Sequence, residues 1–269
     1  MTSPLSGHTL VAIAMEAGAA ILPFYDPKGQ EARTKGDGSP VTAADEAAEA
    51  VILKRLAEHG ITAVLAEEAV AAGRVPDVDG EFWLVDPLDG TKDFIKGSGE
   101  FTVNIARIVD GTPVEGVVLC PALDEVYWAD AAGAHHARIV DGGLADERSI
   151  SVAAPGASLK VVASKSHLTD ETKAFIDRFD VDTFLSFGSS LKFCRVADGT
   201  AHLYPRMGRT MEWDTAAGHA VLKAAGGEVY QLDGTPLTYG KADHESGAYA
   251  NPYFVAAGAF DPFALAKTS

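Results

Sequence analysis

The sequence WLVDPLDGTKDFI, residues 83–95, is the stretch around which the rest of the chain is organised. Its apolar first part predicts a buried strand that ends at Asp86, because the proline that follows cannot donate to a sheet ladder. Gly90 allows a tight reversal, and Thr91 is suited to cap a helix that follows it. We therefore expect Asp86 and Asp89 to be held at a rigid corner between a strand and a helix.

This corner has the chemistry of a phosphate site. Two carboxylates with the backbone carbonyl of Leu88 between them suit a hard divalent cation such as Mg²⁺. The adjoining helix N-terminus offers free N–H groups that favour an anion. An ordinary acidic turn is the alternative, since Asp-Pro and Asp-Gly pairs are common in loops.

The net charge of the chain argues against some classes of partner. The chain has 22 Lys and Arg residues against 38 Asp and Glu residues, a formal net charge of −16. No basic stripe is present to neutralise the phosphates of a nucleic acid, so we expect no nucleic-acid partner. A strongly acidic protein repels phosphate esters unless bound cations invert the local field. A phosphate site on this chain therefore predicts divalent cations within it.

Composition predicts a globular protein of the cytoplasm. Of the 269 residues, 47% are hydrophobic, and the two cysteines are expected to be reduced thiols in the core. No apolar run approaches the roughly 18 residues of a membrane span, and the N-terminus lacks a signal peptide. We therefore expect no integral membrane segment. Association with the cytoplasmic face of the inner membrane, and the oligomeric state, are left open.

Two helices are expected before the first strand. Apolar residues recur at helical spacing over residues 5–25, and a glycine-rich polar loop follows at 28–40. A second helix is predicted to open near Thr42, which has the spacing of a short capping box with Asp45. By itself, Asp45 is better explained as an acidic residue that complements a helix N-terminus.

The chain divides into two parts that differ in their predicted pattern of secondary structure. A short strand at residues 61–66 is predicted to lead into Glu67, with a loop to Gly80 after it. Apolar runs joined by tight turns then predict an antiparallel meander. Within it, His135 and His136 are expected to be surface residues on opposite faces of a strand. Strands and helices then alternate, which is typical of an α/β layer. We place a soft boundary between parts 1–155 and 156–269, which share one active site.

The second part contains further short motifs. EWDTAAG, residues 212–218, begins a helix of small residues, in which Asp214 could be only a favourable N-terminal charge. Taken singly, a Gly-Ser-Ser before a helix is commonly a cap, and a lone His, Lys or Arg is usually solvated or structural. The other motifs are SKSH at 164–167, GSSLKFC at 188–194 and LYPR at 203–206.

Together, DPLDGT and WDTAAG resemble the two signatures of the inositol monophosphatase superfamily, in the same order. TKDF at residues 91–94 and the shorter motifs resemble its bisphosphate nucleotidase branch, so the resemblance covers nearly the whole chain. It implies an α/β (α+β) fold with the layered αβαβα architecture of the sugar phosphatases, as in inositol monophosphatases and fructose-1,6-bisphosphatases. One departure is Ala66, where the family often has Ser or Gly.

The resemblance also implies the residues of the site. Asp45 and Thr91 are expected to activate a water molecule for in-line attack on phosphorus. The ligands of two or three Mg²⁺ ions are expected to be Glu67, Asp86, the carbonyl of Leu88, Asp89 and Asp214. The residues expected to contact the substrate are Glu67, Asp89, Gly90, Thr91, His167, Ser189, Lys192, Arg206 and Asp214.

The implied function is Mg²⁺-dependent hydrolysis of the 3′-phosphate of adenosine 3′,5′-bisphosphate, a small-molecule substrate, in sulfur assimilation or nucleotide recycling. Inhibition by Li⁺ follows from the same resemblance. One alternative is an inositol phosphatase, against which Lys92 and Asp93 argue, because inositol phosphatases usually have Thr-Asn there. The other is a metal- or nucleotide-binding regulator without turnover, against which the intact Asp45 and Thr91 argue.

Overall fold

The computed structural model describes residues 4–29, 40–163 and 169–265, and within these ranges the chain forms eight α-helices and twelve strands. The helices are α1 (Gly7–Ile21), α2 (Pro40–Glu58), α3 (Glu67–Ala71), α4 (Thr91–Lys96), α5 (Asp170–Ile176), α6 (Leu191–Ala197), α7 (Glu212–Ala224) and α8 (Pro262–Leu265). The strands are β1 (Val64–Ala66), β2 (Glu81–Asp89), β3 (Thr102–Val109), β4 (Thr112–Cys120), β5 (Glu125–Asp130), β6 (Gly133–Val140), β7 (Gly143–Ser149), β8 (Leu159–Ala163), β9 (Val181–Ser186), β10 (Leu203–Arg206), β11 (Glu228–Gln231) and β12 (Phe254–Ala257).

The strands form two sheets. The first has the order β1-β2-β3-β4-β5-β6-β7, in which β1 and β2 are parallel and the other neighbours antiparallel. This sheet contains the predicted meander. The second has the order β11-β12-β10-β8-β9, with β10, β8 and β9 parallel to one another and β12 antiparallel to its neighbours. Strand β12 was not among the predicted elements, although it pairs with both β11 and β10 in the second sheet.

Helices and sheets alternate in five layers. Helices α1 and α2 pack on one face of the first sheet, while α6 and α7 fill the space between the two sheets. Helices α5 and α8 cover the outer face of the second sheet. The expected αβαβα architecture is therefore confirmed. One hydrophobic cluster contains side chains of both sheets, so the two parts of the chain share a core.

Strand β2 is buried on both faces, which explains its continuous apolar run. Trp83 and Val85 pack toward α1 and α2, whereas Phe82 and Leu84 pack toward α7. The prediction that this strand ends at Asp86 is wrong, because β2 continues to Asp89. Its pairing with β3 shifts register between Asp86 and Asp89, and such an irregularity lets a strand accommodate a proline.

Two predicted caps are also wrong. Thr91 is the first residue of α4, and the N-cap is Gly90, whose φ of +96° suits a glycine. Helix α2 begins at Pro40, so Thr42 lies inside the helix and not at its cap. Proline is favoured in the first turn because its missing N–H has no acceptor there.

Helix α1 is apolar enough to resemble a membrane span. With the 3₁₀ turn that follows it, the segment Gly7–Phe24 reaches 18 residues at a mean hydropathy of 1.4, contrary to the expectation that no stretch attains this length. That match rests on length and composition only. Leu10, Ile13 and Ala17 are fully buried against α2 and the first sheet, as the core helix of a layered fold requires.

The histidine pair of β6 is less exposed than predicted. His135 stacks on Trp128 and His136 contacts Tyr127, with ring centroids 5.2 and 4.5 Å apart. The two side chains do point to opposite faces, but His136 is buried. Both cysteines are free and buried, as expected.

Candidate active site

The site is built on the corner between β2 and α4. Asp86 is buried in β2, and its Oδ1 accepts a hydrogen bond from the N–H of Leu88 at 3.0 Å. A side chain on Gly90 would meet the backbone of Glu100 and Phe101 at 3.2 Å, in addition to the positive φ. The chain therefore turns tightly enough to hold Asp86 and Asp89 side by side.

Four of the predicted carboxylates lie within electrostatic reach of a fifth, Asp86. The pKa of Asp86 is raised well above its ordinary value, first by burial and then by Glu67, Asp89, Asp214 and Asp45. The pKa of Asp214 is likewise raised, by burial and by Asp89 and Glu67, although the N–H of Met211 and the charge of Arg206 oppose this. These carboxylates repel one another when ionised, and a divalent cation between them would relieve that repulsion.

The donor set fits a hard cation. Clustered carboxylate oxygens with a backbone carbonyl are the ligands that Mg²⁺ takes in proteins. Among the residues that the structure describes, however, no group of three or more His, Cys, Asp or Glu side chains already stands as a closed metal cage. The carboxylates are neighbours that a cation would still have to draw together.

Asp89 is anchored from the second part of the chain. The hydroxyl of Ser189 donates to Oδ2 of Asp89, and it also lies 3.1 Å from the Asp89 carbonyl. The hydroxyl of Thr102, on the strand beside Asp89, makes a short hydrogen bond to the same Ser189 oxygen. Ser189 reaches this position with a φ of +50°, which is uncommon for a residue other than glycine.

Asp214 is held by a second bridge between the same elements. Its Oδ2 accepts the N–H of Met211 at 2.8 Å at the start of α7. Its carbonyl accepts the hydroxyl of Ser190 at 2.6 Å, and Ser190 in turn accepts the side-chain amide of Asn104 at 3.2 Å. Asn104 lies directly opposite Asp86 in the pairing of β2 with β3. The two bridges thus join the corner in the first sheet to the helix that carries Asp214.

Two of the cationic side chains at the site, Lys192 and Arg206, differ in exposure. Lys192 is buried, and its ammonium donates to the carbonyl of Ser189 and lies 5.4 Å over the ring of Tyr204. Burial lowers its pKa to about 8, although the charge of Asp89 opposes this. Arg206 is half-buried, and one of its Nη atoms donates to the carbonyl of Arg209 at 3.4 Å.

A cleft of about 740 Å³, counting its open mouth, brings most of these groups together. Seven of the residues predicted to contact the substrate or the cations line this cleft: Asp89, Gly90, Thr91, Ser189, Lys192, Arg206 and Asp214. Of the others, Glu67 and Asp86 join the site through the carboxylate cluster, and Leu88 lies between Asp86 and Asp89. His167 lies outside the described residues.

Several site residues were not predicted. Tyr204 and Thr210 line the cleft, and Thr102, Asn104 and Ser190 form the bridges behind it. Thr102 and Asn104 are fully buried, and buried polar side chains need hydrogen-bond partners, so their role became visible only once the structure showed their burial.

The fold matches that of solved phosphatases. CysQ from Bacteroides thetaiotaomicron, described as a bacterial member of the inositol monophosphatase family, has a TM-score of 0.79 at 40% identity and covers 94% of this chain and 97% of its own. An inositol monophosphatase from Zymomonas mobilis has a TM-score of 0.72 at 24% identity, covering 93% of this chain and 91% of its own. The second match is evidence for the fold alone.

The sequence matches the same family over nearly its whole length. The family model described as the inositol monophosphatase family matches residues 7–260, and the chain belongs to this family. Within the family, it is 45% identical over 246 residues to the 3′(2′),5′-bisphosphate nucleotidase CysQ of Salmonella typhimurium and 44% identical to that of Escherichia coli K12. Each alignment covers 90% of this chain and 95% of the relative.

Proposed function

We propose that this chain is a 3′(2′),5′-bisphosphate nucleotidase that hydrolyses the 3′-phosphate of adenosine 3′,5′-bisphosphate to give AMP and phosphate. The observation that carries the proposal is the 44–45% identity, over 90% of this chain, to enzymes of that name. The cleft supports it physically, because the cations Lys192 and Arg206 lie on the same surface as the carboxylate cluster. A substrate with two phosphates needs cationic groups beyond those that hold the phosphate being cleaved.

The cofactor in this proposal is Mg²⁺, two or three ions per site. Its ligands would be Glu67, Asp86, the carbonyl of Leu88, Asp89 and Asp214. When bound, the ions supply the positive charge that attracts the phosphate and stabilises the charge that develops during its transfer. The raised pKa values of Asp86 and Asp214 support this assignment, because burial and the neighbouring carboxylates outweigh the opposing charge of Arg206 at Asp214, and the charges that act most strongly on Asp86 are all carboxylates.

Asp45 and Thr91 would activate the attacking water. Thr91 stands at the start of α4 and lines the cleft, while Asp45 is buried on α2, which packs against α4. In the proposal, Oγ1 of Thr91 accepts a hydrogen bond from the water and donates its own proton toward the carboxylate of Asp45. This arrangement orients the water for in-line attack and gives its proton an acceptor.

Arg206 and Lys192 would contribute differently to binding. Arg206 is half-exposed at the cleft, and its planar fork can bind the second phosphate through two hydrogen bonds. The ammonium of Lys192 is already bonded to the loop that carries Ser189, so its charge acts on the substrate from inside the wall of the cleft. Both residues are expected to affect the bisphosphate more than a monophosphate.

A panel of phosphate esters tests the proposal. Phosphate release is measured with Mg²⁺ on adenosine 3′,5′-bisphosphate, AMP and inositol monophosphate, and again after chelation. We expect rapid release from the bisphosphate alone, dependent on Mg²⁺. A higher kcat/KM on inositol monophosphate would overturn the nucleotide assignment, and the absence of turnover on all three would favour a binding protein.

Cytoplasmic location remains an expectation.

A further inference from the structure

Glu49 is a buried carboxylate that the proposed reaction does not use. It lies one helical turn after Asp45 on α2, and its side chain is almost completely buried. A carboxylate withdrawn from water needs hydrogen-bond partners. Oε2 of Glu49 accepts the backbone N–H of Glu68 at 2.9 Å, and the N–H of Ala69 also hydrogen-bonds to this carboxylate. Its partners are therefore the first N–H groups of helix α3.

Helix α3 has no cap of its own. Its N-cap residue is Ala66, which makes no side-chain hydrogen bond, although its φ and ψ of −110° and 141° are those of an ordinary N-cap. The first N–H groups of any helix have no acceptor within the helix. Five residues are also far too few for a helix to be stable alone. Glu49 supplies from α2 the acceptor that a serine at position 66 would have supplied locally.

The position of α3 matters because its first residue is Glu67. This side chain belongs to the carboxylate cluster and is a proposed ligand of Mg²⁺. Residues four apart lie on one face of a helix, so α2 presents Asp45 to the cluster and Glu49 to the start of α3. A single helix face thus determines where Asp45 and Glu67 stand relative to each other.

We propose that Glu49 is a positioning residue, which caps α3 from the neighbouring helix and thereby holds Glu67 in place for cation binding. The inference rests on the proposed function only in taking Glu67 as a Mg²⁺ ligand. Arg74 lies 4.0 Å from the other oxygen of Glu49 but is mostly exposed, so it contributes little.

Direct Mg²⁺ binding, measured by calorimetry without substrate, is the main test. Removing a group that orients a metal ligand typically lowers affinity 10- to 100-fold, and we expect that loss for Glu49→Ala. Glu49→Gln keeps one acceptor oxygen and should lose less. In activity assays, the Mg²⁺ concentration needed for half-maximal rate should rise, while kcat at saturating Mg²⁺ changes less. Glu46→Gln, which removes an exposed charge from the same helix, is the matched control and should bind normally.

A rescue separates capping from simple packing. Adding Ala66→Ser to Glu49→Ala gives α3 a local cap and should restore most of the lost affinity. If Glu49→Ala does not fold, Glu49→Gln with and without Ala66→Ser provides the same comparison, and folding that returns only with the serine supports the proposal. Wild-type protein that binds no Mg²⁺ overturns the proposed function. Normal binding by Glu49→Ala, or a loss that Ala66→Ser does not recover, overturns this inference alone.

Discussion

The bridge from Asn104 through Ser190 to Asp214 can be tested by Ser190→Ala. The mutation removes the hydroxyl through which β3 is joined to the start of α7. Asn104 and Ser190 are both essentially inaccessible to solvent. Oδ1 of Asn104 already has no hydrogen-bond partner among the described residues, so the mutation would leave the whole amide unsatisfied.

The size of the effect follows from that burial. Leaving a buried polar group without a partner costs about 1–3 kcal/mol in the free energy of unfolding. For a protein of this size, each kcal/mol lowers the melting temperature by roughly 2–4 °C. Cavity formation adds little, because a single oxygen atom is removed. We therefore expect the free energy of unfolding to fall by about 1–3 kcal/mol. The slope of that free energy against urea concentration, the m-value, should not change.

The assay is urea unfolding followed by circular dichroism, with Ser151→Ala, at an exposed serine, as control. The double variant Asn104→Leu/Ser190→Ala removes both partners and should recover most of the stability, because no orphaned amide remains. The Mg²⁺ affinity of the double variant should remain below that of the wild type, because the carbonyl of Asp214 still lacks its hydrogen bond from Ser190. A change below about 0.5 kcal/mol in Ser190→Ala, the range of ordinary surface substitutions, would refute the reasoning.

Four further outcomes are expected. Asp89→Asn should lower both the Mg²⁺ affinity and the turnover. The metal-free variant should be as stable as the wild type or more stable, because the mutation relieves repulsion among the carboxylates. Normal activity at ordinary Mg²⁺ concentrations would contradict the ligand assignment. Thr91→Ala should lower kcat by roughly 10²-fold with Mg²⁺ binding retained in calorimetry, and the reverse pattern would remove its catalytic role. Arg206→Ala should lose ~1.5–3 kcal/mol of transition-state binding, a ~10–150-fold fall in kcat/KM on the bisphosphate, with a small monophosphate as the unaffected control. Burial and Arg148 lower the pKa of His136 from its ordinary value of 6.5, so the folded state binds this proton less well than the unfolded state. The free energy of unfolding should therefore fall as the pH drops below 6.5. A His136→Phe variant should show a weaker dependence of this free energy on pH, measured by urea titrations between neutral and mildly acidic pH.

The local sequence pattern was sufficient to predict the corner between β2 and α4 and most of the helices. The order of strand, acidic turn and helix at residues 83–95 depends on residues adjacent in the chain, and the structure reproduces it apart from the end of β2 and the cap of α4. The layered fold followed from the family resemblance, which carries information that periodicity lacks. The individual site roles remain predictions, although the structure brings the carboxylates and cations to one cleft.

Only the tertiary structure could decide the residues that hold the site together. The roles of Thr102 and Asn104 depend on the register of β3 against β2, which places them opposite Asp89 and Asp86. A shift of one residue would send both side chains to the other face, and no local pattern determines that pairing.

The same limit applies to buried charges. The sequence marks Lys192 and Glu49 as charged residues of helices, which are usually solvated. In the structure, Lys192 donates a hydrogen bond to the carbonyl of Ser189, and Glu49 accepts one from the first turn of α3. What the sequence determined by itself was the local order of strands, turns and helices, because short-range sterics and periodic burial control it. What the tertiary structure decided was which distant backbone groups meet each buried charge, because those contacts form only when the layers pack.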